Sequence, residues 1–534
     1  MPVVTLADAQ AMAPGQERDW AYNALDATGT LEVAKELLPK LSPLQARTYA
    51  FEKQLQGPAM SMMMRGVRIN QPLRAEMVKE LKKEMQRDER AIAVHDKVKS
   101  VWDGSELETG VCPANFGKRH KWPRGVPDSP DKHCSACGVS RVSYKAFEAT
   151  SSSQTFRLIY TLHGIPPYMN KQGKQSTDDD TLSRIAHKHP ELAGLCESIL
   201  AIRDKQKQLG ALSARLTPDG RYPSSFNVGA AWTGRFSSSK NPYGLGGNLQ
   251  NVAPKHRKVF IADPGMEMGY ADYMQGESNI VAHLSGDPKY IEAHKGGDVH
   301  TYVTRYVWPE LPWTGDLKKD KKIAKQNPPW DLAEGHDYRF QCKRIQHGSN
   351  YGLSPFGISM IAKIPLREAK TAYNRYMSEF DYIPAWQDWE RKNVTEHRPI
   401  INPLGRVWVP FGRSWDKHTW RQALSFKAQS LLADINDIAL YYVWLDLEEQ
   451  QVQLLAQVHD ALLHQVPQGR YDLERDLLKR MAIPVPVTDF QGTTRIMTIG
   501  VESATGKNWG HKSPDNPTGI DEGPIAAYLQ EHPL

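Results

Sequence analysis

The chain is short of cysteine, with five in 534 residues, and has no apolar run approaching the length of a membrane span. The first shortage excludes a disulfide scaffold and the second a helical membrane protein. The N-terminus, MPVVTLADAQAMAPGQERDW, lacks a basic start followed by an apolar stretch, so no secretory signal is expected. An intracellular, cytoplasmic enzyme without a membrane partner is the default expectation. Charge of one sign does not dominate: 67 Lys and Arg stand against 61 Asp and Glu, a net +6. That basic lean, with a pI near 8.8, permits nucleic acid without demanding it. The length exceeds one ordinary core, so about two to four domains are expected. Three of the cysteines cluster, which points to metal.

Periodicity predicts helices over residues 17–40, from Ser42 to Gly66, from about Pro72, from the serine run at 151–153, and over 189–216. Strand-like text with many turn residues begins near Arg221. Helices return from about Gly276 to Phe380, and a long helix, a hairpin and C-terminal strands close the chain. This is α+β text in several layers.

Between Arg339 and Gly352 the chain reads RFQCKRIQHGSNYG. Arg339, Lys343, His347 and Tyr351 recur every four residues, so on a helix they share a face. Two stacked cations are unfavourable unless an anion lies across them. A nucleoside triphosphate fits, with phosphates on Arg339 and Lys343, the two rings against sugar or base, and Gly348 and Gly352 allowing close approach. A solvated basic face is the plainer alternative.

The strands QLLAQV and ALLHQV flank His459 and Asp460, and a second strand ends at Asp272 just before a helix that starts after Gly276. A carboxylate between buried strands is costly unless paired or bound to metal, although a simple turn aspartate remains open at Asp460. Two such aspartates from distant segments could hold two magnesium ions about 4 Å apart for in-line phosphoryl transfer.

Together these segments resemble the DNA polymerases of family A, most closely the bacteriophage-type replicative members, over roughly residues 45–512. TGRFSSSKNPYGLGGNLQNV (233–252) resembles the TGRxSS…NLQN primer–template segment. DYMQGE (272–277), RFQCKRIQHGSNYG and QVHDALL (457–463) resemble motifs A, B and C. GDVHTYV (297–303) resembles the GDxH fingers segment, PLGRVWVP (403–410) the G-R turn, and RQALSFKAQSLLADI (421–435) the RxxxNxxxQGxxAD helix. VESATGKNWG closes the palm.

The resemblance implies an α+β right-hand polymerase fold, with an antiparallel palm sheet and helical fingers and thumb. Its parts would be an exonuclease remnant (1–45), thumb (46–215), palm (216–279 and 413–534) and fingers (280–412). Asp272 and Asp460 would be catalytic and bind the two magnesium ions, with the Tyr273 carbonyl assisting. Arg339, Lys343, His347, Tyr351, His300, Glu277 and Gln275 would hold the deoxynucleoside triphosphate, Glu277 acting as the gate against a ribose 2′-hydroxyl with help from Tyr351. Arg235, Gln429, His459, Arg421 and Asn251 would contact primer–template DNA. The chain departs from the common motif forms at His347, where Phe or Tyr is usual, and at Met274, Gly276, Ser425, Ser430 and Ala461.

WAYNALDATGTLEVAKEL resembles the last motif of the family's 3′–5′ exonuclease, with Tyr22 and Asp26 as its tyrosine and metal aspartate. The expectation is a chain that does not proofread by itself. Either a stump helix packs on the polymerase, or a separate exonuclease chain completes the site. Cys112, His120, Cys134 and Cys137 read C-x7-H-x13-C-x2-C within a basic insertion at about 104–141 of the thumb. Thiolates and imidazole at this spacing suit a closed, structural zinc site. Lys118, Arg119, Lys121, Arg124, Lys132 and Arg141 make this insertion a candidate DNA clamp or dock for a processivity partner. A single-subunit RNA polymerase and an inactive nucleic-acid-binding subunit are the alternatives. Glu277, the TGR segment and QVHD argue against the first. Retention of Asp272, Asp460, Arg339 and Lys343 argues against the second.

Overall fold

Two larger sheets and two larger cores organise the described residues. The structure, a computed structural model, describes residues 15–93, 147–170, 173–330 and 336–534, and residues 95, 98, 112, 114, 119–123 and 132–139. Helix α1 (Gln16–Leu37) leads into α2 (Pro43–Gln54), which starts on a capping box between Ser42 and Gln45. Helix α3 (Gln56–Arg65) ends at Gly66, whose φ of 59° turns the chain into β1 (Val67–Ile69). Helices α4 (Gln71–Ala93), α5 (Asp179–Lys188) and α6 (Pro190–Leu212) follow. Ser151 caps a short helix at 152–156, as the serine run predicts. Helices α4, α5 and α6 share a core of their own with residues such as Ile92, Leu158, Ile159, Ile185 and Ile199. Helix α3 instead buries Ala59 and Met62 in the main core, where Gly57 abuts the Trp444 ring. Residues 46–215 therefore contribute to both cores.

Helix α1 leaves several large apolar residues in solvent. Trp20, Leu31, Val33 and Leu37 are all exposed. At about 100° per residue, Trp20 and Leu31 share one azimuth while Val33 and Leu37 lie on the far side, so no single apolar stripe forms.

Strands β2 (Arg221–Tyr222), β3 (Phe260–Ile261) and β4 (Met266–Tyr273) precede α7 (Gly276–Ser285). A helical layer follows: α8 (Val299–Val307), α9 (Leu317–Ala324), α10 (Tyr338–Asn350), α11 (Leu366–Glu379) and α12 (Tyr382–Thr395). The long α13 (Lys417–Leu447) leads to the hairpin β5 (Gln453–Val458) and β6 (Ala461–Pro467), then α14 (Tyr471–Met481), β7 (Val501–Gly506), β8 (Asn508–His511) and β9 (Gly519–Ile520).

The central sheet runs β7-β4-β6-β5, antiparallel throughout, and a second runs β9-β8-β3-β1-β2. Strand β6 is interior and covered on both faces, which is why ALLHQV reads as a nearly unbroken apolar run. Its one ionisable residue, His464, is fully buried and bonds Glu474 Oε1 of α14 at 2.7 Å. Gly269 on β4 makes room for that pair: a Cβ there would lie 2.2 Å from His464 Nε2. Gly276 opens α7 against Leu432 of α13 in the same way.

Candidate active site

The sheet register brings the two aspartates together across 188 positions of sequence. Ala461 pairs with Asp272 on one side of β4 and Glu502 pairs with it on the other, and Asp460 stands in the turn just before Ala461. That turn forces His459 to a φ of 57°, a conformation few non-glycine residues adopt. The strained peptide is tied down by Gln457 Nε2 and Asn436 Nδ2, which donate to its carbonyl at 2.7 and 3.3 Å. The Tyr273 hydroxyl points into the core and donates to the Met481 carbonyl.

Burial, then Asp460 and Glu502, push the Asp272 carboxyl up to about 7. Burial also raises Asp460, opposed by Arg235. Arg235 Nη2 donates to Asp460 Oδ1 at 3.0 Å and to Glu277 Oε1 at 2.7 Å. One guanidinium thus serves two carboxylates, and Asp272 and Glu502 add further acid. Oxygen donors with excess negative charge in a half-closed site suit a hard divalent cation such as magnesium. Glu277 stays below the usual range despite burial, because Arg235 and the Tyr351 hydroxyl both favour its charge; Tyr351 donates to Glu277 Oε2 at 2.6 Å. This is the contact the resemblance implies.

The opposite wall is α10. Tyr290 fixes its orientation, accepting from Gln346 Nε2 at 2.6 Å and Asn350 Nδ2 at 3.2 Å. Lys343, His347 and Tyr351 line the same cleft as the acids, Arg339 lies one turn before Lys343, and Tyr351 caps the helix end. His347 lies edge-on to Tyr351 and 3.8 Å from Glu277 Oε2. Arg339 is held by Asp298, with Nη2 2.9 Å from Oδ1. Lys343 makes no ion pair among the described residues. His300 is buried, and burial followed by Arg339 lowers it to about 4. Its Nδ1 lies 2.6 Å from Gln346 Oε1. Gln346 spends its amide on Tyr290, so Nδ1 must donate, and the neutral ring has no proton at Nε2. Asp272, Asp460, Glu277, His300, Lys343 and Tyr351 all line one cleft of about 320 Å³.

One expectation needs correction. Gly348 and Gly352 do not open α10 to a ligand. A Cβ at Gly348 would meet Leu353, Ile361 and Ile358, and one at Gly352, whose φ is 71°, would meet Trp420. Both serve packing: Gly348 lies on a face of α10 turned to the protein, and Gly352 lies in the turn after the helix, against Trp420.

The family model for "DNA polymerase family A" matches residues 137–511. The chain belongs to DNA polymerase family A. Family A relatives include DNA polymerase I, thermostable, of Thermus aquaticus, 28% identical over 382 residues covering 65% of this chain and 42% of the relative. DNA polymerase I of Mycobacterium tuberculosis is 29% identical over 358 residues, covering 63% and 36%. The chain thus spans about four-tenths of the length of the curated relatives it matches. Among solved structures, the POL domain of Pol1 from M. smegmatis in complex with DNA primer-template and dNTP superposes with a TM-score of 0.61 at 23% identity. It covers 86% of this chain and 70% of that one. The family A fold is therefore shared, as a mixed α+β polymerase domain. No helix among the described residues is long and apolar enough to cross a membrane.

Other candidate residues of this family A chain fall in different places. Gln275, at a φ of 53°, lines the cleft but spends its amide on the Gly297 carbonyl and the Val299 N–H, strapping α7 to α8. His459 is exposed, and Gln429 and Arg421 are half-buried on α13. Asn251 is exposed beside Gln208 and Leu212 of α6 and does not line the acidic cleft. Sequence alone does not single out Asp298, Gln346, Asn350 or Glu502. Asp298 lies within the GDVHTYV segment, whereas the sheet register that brings in Glu502 leaves no local signal.

Tyr22 is half-buried and Asp26 exposed, a turn apart on α1. Cys112, His120, Cys134 and Cys137 bring four ligand atoms within 4.8 Å of one another. Cys112 Sγ lies 3.9 Å from Cys134 Sγ, and Cys137 Sγ 3.3 Å from His120 Nδ1. Burial raises the Cys134 thiol, but N–H groups of Ala136, Cys137 and Lys121 together with His120 outweigh it and bring it to about 5. Gly138, at a φ of 73°, lets the chain turn back, with its N–H on the Cys134 carbonyl. Lys118, Arg124 and Arg141 lie outside the described residues.

Proposed function

We propose that this chain is a template-directed DNA polymerase that adds deoxynucleotides to a primer 3′ end. The observation that carries the reading is that the register pairing Ala461 with Asp272 sets Asp460 beside Asp272 at the head of the central sheet, in one cleft with Lys343 of α10. Magnesium ions, held by Asp272, Asp460 and the Tyr273 carbonyl, would lower the pKa of the primer hydroxyl and stabilise charge on the leaving pyrophosphate. The protein's own groups do the rest. Arg339 and Lys343 grip the triphosphate, and Arg339 exchanges Asp298 for phosphate oxygens. Glu277, fixed by Arg235 and Tyr351, occupies the space beside the sugar and disfavours a ribose 2′-hydroxyl. Arg235, Gln429 and His459 test the primer-terminal minor groove, where every Watson–Crick pair offers acceptors; Arg421 and Asn251 touch the duplex further out. In this reading residues 46–215 are thumb, 216–279 and 413–534 palm, and 280–412 fingers. The motif forms favour a bacteriophage-type member acting in phage genome replication.

Primer extension on a primed template tests this. Incorporation of deoxynucleotides well above ribonucleotides is expected, and no incorporation, or a ribonucleotide preference, would overturn it. A mismatched primer, assayed alone and in native extract, tests whether a separate chain supplies proofreading around Tyr22 and Asp26.

The four-ligand cluster supports structural zinc in the thumb. Two thiolates close together repel unless a cation joins them, and four protein ligands leave no open position. Metal analysis should find one zinc per chain, lost in C134S. Deleting residues 104–141 should shorten products per binding event while sparing single-nucleotide addition, and unchanged processivity would exclude a clamp role.

A further inference from the structure

Helix α9 carries lysines at 318, 319, 321 and 322, with Lys325 just beyond its end. All five are exposed, and a solvated basic face would be the ordinary reading. Two observations single out Lys321. The helix is anchored by Asp320, which is fully buried. It accepts from Thr314 N and Oγ1 at 2.8 and 2.9 Å and from Gly315 N at 3.2 Å, and it lies 3.5 Å from Arg305 of α8. A lysine one residue after such an anchor is aimed by the fold. What it is aimed at is Asp298: Lys321 Nζ lies 3.7 Å from Oδ2, the same carboxyl oxygen that Arg339 Nε meets at 3.2 Å.

Asp298 also accepts from Thr301 N and Oγ1 as the cap of α8. One negative charge thus stands between two permanent cations, and the excess is positive. Lysines 318, 319, 322 and 325 make no ion pair among the described residues.

We infer that Lys321 is a nucleotide-binding residue that works beside Arg339, holding the distal phosphates of the incoming triphosphate and the pyrophosphate that leaves. This rests on the polymerase reading. In the reaction the primer 3′-hydroxyl gives up its proton to solvent, its oxygen forms a bond to the α-phosphorus, the bond from that phosphorus to the oxygen bridging the β-phosphorus breaks, and the electron pair departs with pyrophosphate. Arg339 and Lys321, released from a shared carboxylate, meet the anion from two sides, and a charge-assisted contact to each is retained as it leaves.

The test compares K321Q with K322Q on the same exposed helix. For K321Q, the KM for deoxynucleotide should rise about fivefold or more with a smaller change in kcat. Inhibition by inorganic pyrophosphate should weaken by a similar factor, and affinity for primer–template should not change. K322Q should stay within about twofold of wild type in every measure. Calorimetric titration with inorganic pyrophosphate and magnesium reads the same site without turnover. A wild-type chain that binds pyrophosphate but extends no primer overturns the polymerase reading and leaves the anion site standing. Wild-type extension with K321Q unchanged, or K322Q equally impaired, overturns the role of Lys321.

Discussion

The carboxylates at the head of the central sheet and the thiolates of the 112–137 segment are both clusters of metal-seeking side chains, but they are held in opposite ways. Asp272 on β4 and Asp460 in the turn before β6 stand against the largest core, beside fully buried residues such as Leu462, Leu463 and Ala271. Their separation is set by strand register before any ion arrives. Cys112, His120, Cys134 and Cys137 come from a segment whose buried apolar content among the described residues is little more than two cysteines. The first site spends fold stability to hold acids in unfavourable proximity. The second, on the proposed zinc reading, draws its stability from the metal. Function built on a core can therefore be broken without unfolding, whereas the cysteine cluster should lose its shape with its ion.

The sharpest way to break this contrast is D272N. Extension should fall by roughly a thousandfold or more, with the fold intact by circular dichroism. Because the Asp272 carboxyl is raised to about 7 in the folded chain, its ionisation opposes folding. The penalty begins as pH climbs past the ordinary aspartate range and is complete above about 7. In metal-free buffer D272N should accordingly melt higher than wild type at pH 8 and no differently at pH 4. An equal melting temperature at pH 8 would contradict the stored repulsion. Next in size is G269A, which drives a methyl into His464 and Glu474. It should cost about 3 kcal/mol in denaturant unfolding, and a neutral effect would mean that the core behind the aspartates is softer than described.

On the cluster side, C134A should abolish zinc binding and speed proteolysis near residue 134, yet leave single-nucleotide addition within about twofold. A comparable loss of chemistry would erase the distinction between the sites. The smallest effect concerns His300, which faces Arg339, Lys343, Asp298 and Gln346 and is neutral above about pH 4 in the free chain. Phosphate beside Nε2 favours the imidazolium, so nucleotide binding near pH 6 should take up protons. Titration in two buffers of different ionisation enthalpy should show the uptake, and H300N should reduce it.

Much of this was legible in residues alone. The periodic apolar text from 453 to 467 announced the hairpin, and RFQCKRIQHGSNYG announced a helix with a cationic face. The C-x7-H-x13-C-x2-C spacing announced four ligands that do converge. Each rests on short-range periodicity or on a fixed set of donor atoms. Four features were not legible. Asp298 neutralises Arg339, Glu502 joins the acids by register, Gly348 and Gly352 face protein rather than ligand, and α1 leaves Trp20, Leu31, Val33 and Leu37 exposed. All depend on which surfaces meet.

The sequence by itself determined the element types and the residues able to do chemistry, because helix and strand periods and side-chain charge are local properties. Only the tertiary structure decided which of those charges share a space. Coulomb energies and hydrogen bonds depend on distances between segments brought together by burial of their apolar neighbours, and nothing in the order of residues states those distances.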